Sequence, residues 1–198
     1  MRSTSCTRRD AVAALALAGL LAGCASAPPE RYYRLVAAGD APAPAAARPS
    51  LPAVAVAAVS VPEIVDRPQF VTLGPGSEVR LSEQHRWAEP LKLAIGRLVA
   101  ARLAVALGGA LVTAYPAEPA AQTAWRVSLD VQRFDSEPGV AARTAVLWTL
   151  RRLADGQQRS GRSEIRTVPI DASHDALAAA HASALVRIAD EIALALAP

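Results

Sequence analysis

The sequence predicts a single compact α/β domain, a mixed β-sheet with an antiparallel meander packed against two long helices. Three observations carry that prediction. Residues 88–107 and 173–196 repeat apolar side chains at helical spacing. Between them, three β-prone runs within 125–168 are separated by Glu137-Pro138-Gly139 and Asp155-Gly156, turn signals that join neighbouring strands into a meander. Finally, 198 residues with 52% apolar and 20% charged residues suit one globular domain and are too apolar for a disordered chain.

Taken in order, Tyr32-Tyr33-Arg34-Leu35-Val36 reads as a first strand. Residues 41–49, Ala-Pro-Ala-Pro-Ala-Ala-Ala-Arg-Pro, read as an extended loop of polyproline character. Residues 53–61 are rich in Val and Ala and end at Pro62, as a buried second strand should. Residues 69–73 and 78–82 flank Gly74-Pro75-Gly76-Ser77 and read as a hairpin. In the helix over 88–107, Leu91, Ile95, Leu98 and Val105 mark the apolar face, and Lys92, Arg97 and Arg102 its wet flank. Pro90 suits its first turn and Gly108-Gly109 its end. Residues 110–115 form a short strand. In 125–134, Trp125, Val127, Leu129 and Val131 alternate with Arg126, Ser128, Asp130 and Gln132, the pattern of a half-buried strand. Residues 141–151 are apolar on both faces, which predicts a central strand, and 161–168 complete an antiparallel meander. The last helix, 173–196, is capped by Asp171 or Ser173 and carries Leu177, His181, Leu185, Ile188, Ile192 and Leu196 on one face.

The start of the chain reads as an address. Arg2, Arg8 and Arg9 precede an unbroken run of Ala, Val, Leu and Gly from Ala11 to Ala22. A short apolar core behind basic residues marks a secretory signal, and no apolar run reaches the roughly 18 to 20 residues of a membrane span. The run ends in Leu21-Ala22-Gly23-Cys24, which is similar to a lipobox, the pattern at which bacterial lipoproteins are cut and their cysteine acylated. The expected organisation is a signal at 1–23, a tether at 24–31 behind lipidated Cys24, and a domain at 32–198 containing the loop 41–49. Ala25 after the cysteine permits transfer to the outer membrane, where Asp would retain an enterobacterial lipoprotein in the inner one. The mature chain of 175 residues keeps 18 basic against 17 acidic side chains, so most of the positive net charge of the whole sequence leaves with the signal. A nearly neutral domain offers no electrostatic case for nucleic acid. Its one remaining cysteine is the acylated one, so no disulfide within the chain supports the core.

Catalytic and cofactor motifs are missing. No metal-ligand spacing, Gly-x-Ser-x-Gly or His-Glu-x-x-His occurs. Gly74-Pro75-Gly76-Ser77 has no lysine and opens no helix, so it fails as a phosphate loop. His174 reads as exposed near a helix cap and His181 as lying at the core edge. His85 and Glu89, four apart, form an acid/base pair only if the helix begins early; otherwise His85-Arg86-Trp87 anchors the hairpin to the helix.

The densest unusual stretch is Asp66-Arg67-Pro68-Gln69, followed by His85-Arg86-Trp87-Ala88-Glu89-Pro90-Leu91. Arginine pairs bidentately with carboxylates and tryptophan can pack under its guanidinium, so Asp66, Arg67, Arg86 and Glu89 are expected to lock hairpin against helix. The alternative makes the same surface a docking site for a partner protein.

These segments, with the lipobox, the early Tyr-Tyr-Arg-Leu and the Val-rich strand ending in Val-Pro, closely resemble the ABC-type transport auxiliary lipoprotein family, the PqiC or YmbA type. The resemblance implies a compact α/β domain anchored to the outer membrane by its lipid and facing the periplasm. It implies partners in an MCE-domain protein and an ABC permease and ATPase, in a system moving phospholipid or other hydrophobic molecules between the membranes. It brings no catalytic residues and no cofactor. A periplasmic lipid-binding module that itself holds an acyl chain remains the alternative, and an enzyme using His85 and Glu89 a third reading.

Overall fold

A computed structural model describes residues 28–37 and 52–197. The signal, Cys24 and the Ala/Pro loop at 41–49 lie outside the described residues. The element order is β1 (Arg31–Tyr33), β2 (Ala53–Val56), β3 (Gln69–Leu73), β4 (Val79–Trp87), α1 (Leu91–Ala106), β5 (Val112–Ala114), β6 (Thr123–Glu137), β7 (Ala141–Arg152), β8 (Gln158–Thr167) and α2 (His174–Leu196).

The strands form two sheets where the sequence suggested one. A five-stranded sheet runs β5-β2-β6-β7-β8 and a three-stranded sheet runs β1-β4-β3. In the larger sheet β2 is parallel to both β5 and β6, and β6-β7-β8 is the expected antiparallel meander. All four residues of β2 are buried, as a strand covered on both faces requires. The smaller sheet is the expected hairpin with β1 added parallel to β4. Its division from the larger sheet depends on pairings between segments far apart in sequence, which local patterns do not encode.

Both helices cover the same face of the five-stranded sheet. Arg102 of α1 donates to Asp190 of α2 at 2.6 and 3.0 Å, so the C-terminal halves of the helices lie together. The core between them holds Ile95, Val99 and Leu103 from α1, Leu185, Ile188 and Ile192 from α2, and Val127, Val146 and Leu150 from the sheet, all fully buried. Helix α1 starts at Leu91, with Pro90 at its N-cap. The Ser173 side chain caps α2 by accepting from the Ala176 N–H. Gly108 takes φ +67° and lets the chain leave α1 in a left-handed turn.

A bulge between Val131 and Arg133 changes the phase of β6. Before it, Val127, Leu129 and Val131 point to the core; after it, Phe134 and Ser136 do. The bulge places Gln132 and Arg133 consecutively in solvent and keeps both halves of a 15-residue strand amphipathic.

Candidate functional site

The two distinctive segments meet in space. Gln69 pairs with Arg86 in the ladder, and the Trp87 N–H donates to the Pro68 carbonyl at 2.8 Å. The Ala88 N–H donates to the Tyr33 carbonyl at 2.8 Å, which ties β1 into the same place. Asp66, Arg67, Pro68, Trp87, Glu89 and Pro90 line one open cleft of about 400 Å³.

The charges in this cleft do not pair with one another as the sequence suggested. Asp66 accepts from Lys92 at 2.9 Å, and Glu89 from Arg97. Arg86 lies 3.3 Å from Glu30 and 3.5 Å from Glu83. Each carboxylate or guanidinium takes the partner that a neighbouring segment brings within reach: α1 supplies Lys92 and Arg97, and the chain before β1 supplies Glu30. Arg67 has no ion pair among the described residues, and its buried Nε has no hydrogen-bond partner. The expected guanidinium stack on Trp87 is also absent. Trp87 instead stacks on Phe70, with centroids 4.5 Å apart, and meets Phe134 edge-on at 6.2 Å. It is a core residue that fixes the small sheet to the large one.

His85 and Glu89 are not brought together. The Nδ1 of His85 lies 2.6 Å from the Ser82 Oγ, while Glu89 turns to Arg97. The helix does not begin early enough to align them, because Pro90 stands at its N-cap. His85 instead stacks on His174, with ring centroids 3.9 Å apart and planes inclined by 7°. Tyr33 and Phe70 complete this aromatic group. His174 is therefore half-buried rather than exposed. Burial, and then the neighbouring His85, push its pKa below the ordinary histidine value. No local pattern links positions 85 and 174, so sequence reasoning missed this pair.

His181 lies in the core rather than at its edge. Its two ring nitrogens meet Ser136 Oγ at 3.0 Å and Thr144 Oγ1 at 2.8 Å, and its ring stacks on Phe134 at 3.7 Å. Burial without a carboxylate partner pushes its pKa down to about 3. Either neutral tautomer is satisfied, because each hydroxyl can donate or accept. Among the described residues no group of three or more His, Cys, Asp and Glu side chains could hold a metal ion, and no helix is long and apolar enough to cross a membrane.

The fold and the site together define a mixed α/β domain whose distinctive residues build a cleft and an aromatic stack. The family model for the ABC-type transport auxiliary lipoprotein component matches residues 33–193, and the chain belongs to that family. No curated protein gave a significant match. The fold is similar to a crystal structure of an uncharacterized protein, with TM-score 0.70 and 16% identity over 86% of this chain and 100% of the other. It is also similar to protein XCC0632 from Xanthomonas campestris, of the family DUF330. That match has TM-score 0.62 and 20% identity over 82% of this chain and 92% of the other.

Proposed function

We propose that this protein is an outer-membrane lipoprotein, anchored through acylated Cys24 and facing the periplasm, that serves as a non-catalytic, partner-binding component of an MCE-type ABC transport system. The system would move phospholipid or other hydrophobic molecules between inner and outer membranes, with energy from its ATPase. The observation that carries this reading is the family match over residues 33–193 behind Leu21-Ala22-Gly23-Cys24. One acyl chain gives marginal membrane binding, whereas the several chains of a mature bacterial lipoprotein anchor stably. The anchor confines the domain to one surface, so modest affinity suffices to hold the distal end of a periplasm-spanning MCE assembly.

The packing favours docking over carriage of an acyl chain. The space between the five-stranded sheet and the helices is filled by buried Val, Leu and Ile side chains. The cleft bounded by Asp66–Pro68 and Trp87–Pro90 is open and presents Arg67, a donor for a carboxylate or carbonyl of a partner.

Replacing Cys24 with Ala tests the reading. The expected result is loss of palmitate labelling, release of the protein into the periplasmic fraction, and weakened outer-membrane barrier function. A Cys24→Ala variant that stays membrane-bound, or wild-type protein that fails to co-purify with the MCE protein of its own system, would overturn it.

A further inference from the structure

The helices cover one face of the five-stranded sheet; on the other face of β6-β7-β8, Arg126, Ser128, Asp130, Leu147, Arg151 and Arg162 are exposed, with no element among the described residues packed over them. The ladder sets them in rows. Asp135 lies opposite Arg143, which lies opposite Arg166; Asp130, Leu147 and Arg162 form a middle row; Arg126, Arg151 and Gln158 form the last. The charge along this face is uneven. At the end near Glu137, arginine meets carboxylate: Arg133 with Asp135 and Glu164, Arg162 with Glu164, and Arg143 with Glu137. Asp130 holds Ser60.

At the opposite end, Arg126 and Arg151 stand directly across from each other, both exposed, with no ion pair among the described residues. Like charges directly opposite on a strand pair oppose folding. No carboxylate among the described residues compensates this repulsion, and one from outside would. Leu147, 38% exposed, lies four residues before Arg151 on the same face. An apolar centre bordered by arginines matches the composition of protein interfaces, where arginine is enriched.

We propose that this face, with Arg126 and Arg151 as its charged anchors, docks an acidic segment of a partner protein. The inference rests on the reading of an anchored, partner-binding lipoprotein and assigns it a second surface, apart from the Arg67 cleft. Geometry selects a protein over the phosphates of the anchoring membrane. The tether enters at β1, where Tyr33 packs against His174 at the start of α2. Arg151 lies beside the other end of α2, because Arg159, paired with the neighbouring Leu150, donates to the Ala195 carbonyl at 2.8 Å. A helix of 23 residues separates the two ends by roughly 34 Å. The arginine pair therefore sits at the end of the domain away from its anchor.

The test places a photo-cross-linking amino acid at Ser128, exposed on this face, in the full-length protein in cells. The expected adduct is with a protein, through a peptide of net negative charge. The variant Arg126→Glu sets a carboxylate opposite Arg151 and is expected to keep or raise the melting temperature while reducing the adduct at least tenfold. Arg126→Lys is expected to retain it. An adduct with phospholipid, or an adduct unchanged in Arg126→Glu/Arg151→Glu, would overturn the proposal. Co-purification of the MCE protein with wild type, together with that unchanged adduct, would show that this surface assignment fails while the transport reading stands.

Discussion

Replacing His181 with leucine removes a buried base that the native fold holds neutral. Its pKa is 6.5 in an unfolded chain and about 3 in the core. As pH falls below 6.5 the unfolded chain takes up a proton that the native state refuses, so stability is complete above about pH 7 and is lost progressively towards pH 3. At about pH 4.5, two units below the unfolded value, His181 alone lowers stability by about 3 kcal/mol. In the variant at about pH 7.5, Ser136 and Thr144 lose their partner. Each buried hydroxyl left unpaired costs about 1–3 kcal/mol, partly offset by the added apolar burial. The variant is therefore expected to be less stable than wild type by about 1–4 kcal/mol at neutral pH, and the gap should shrink by about 3 kcal/mol at about pH 4.5. Urea unfolding of a soluble form beginning at Pro28, followed at both pH values, reads the difference. His174 is shifted in the same direction, but it is present in both proteins and its contribution cancels. A stability gap that is the same at both pH values would refute the claim that His181 is neutral in the fold.

Two further outcomes follow from the packing. Gly161 faces Trp148 across β7 and β8, and an added Cβ would lie 2.2 Å from the indole, so Gly161→Ala is expected to cost about 1–3 kcal/mol and to expose Trp148, seen as a red shift in its fluorescence. Trp87→Ala removes a buried ring from between Phe70 and Phe134 and is expected to cost about 3–5 kcal/mol, whereas Arg86→Ala, whose partners are surface carboxylates, is expected to cost about 1 kcal/mol or less; denaturation midpoints compare the two.

Much of the fold could be read from the sequence because its strongest elements are strongly periodic. The apolar face of α2 and the odd-numbered core residues of β6 as far as Val131 are where their spacing placed them. Phe134 breaks that spacing, and only the bulge explains why it is buried as well. The two-sheet arrangement was not legible, because β1 pairs with β4 and β2 with β6 across long stretches of chain. In the candidate site, the meeting of Asp66–Gln69 with His85–Pro90 followed from the hairpin. The individual pairings did not, since Lys92, Arg97 and Glu30 captured charges that local reasoning assigned to one another. His174 joined His85 through tertiary packing alone. Leu21-Ala22-Gly23-Cys24, by contrast, is a linear pattern read without any fold, and it lies outside the described residues.

The placement of β1 has a mechanical consequence. Tension entering along the chain before Arg31 first meets the Glu30–Arg86 ion pair, three residues of parallel pairing with β4 and the packing of Tyr33 on His85 and His174. That short edge strand belongs to the smaller sheet, so it can peel away without opening a rung of the five-stranded one. A pull from the N-terminal side would release this strand first, as a fuse, while the helices and the meander keep their shape.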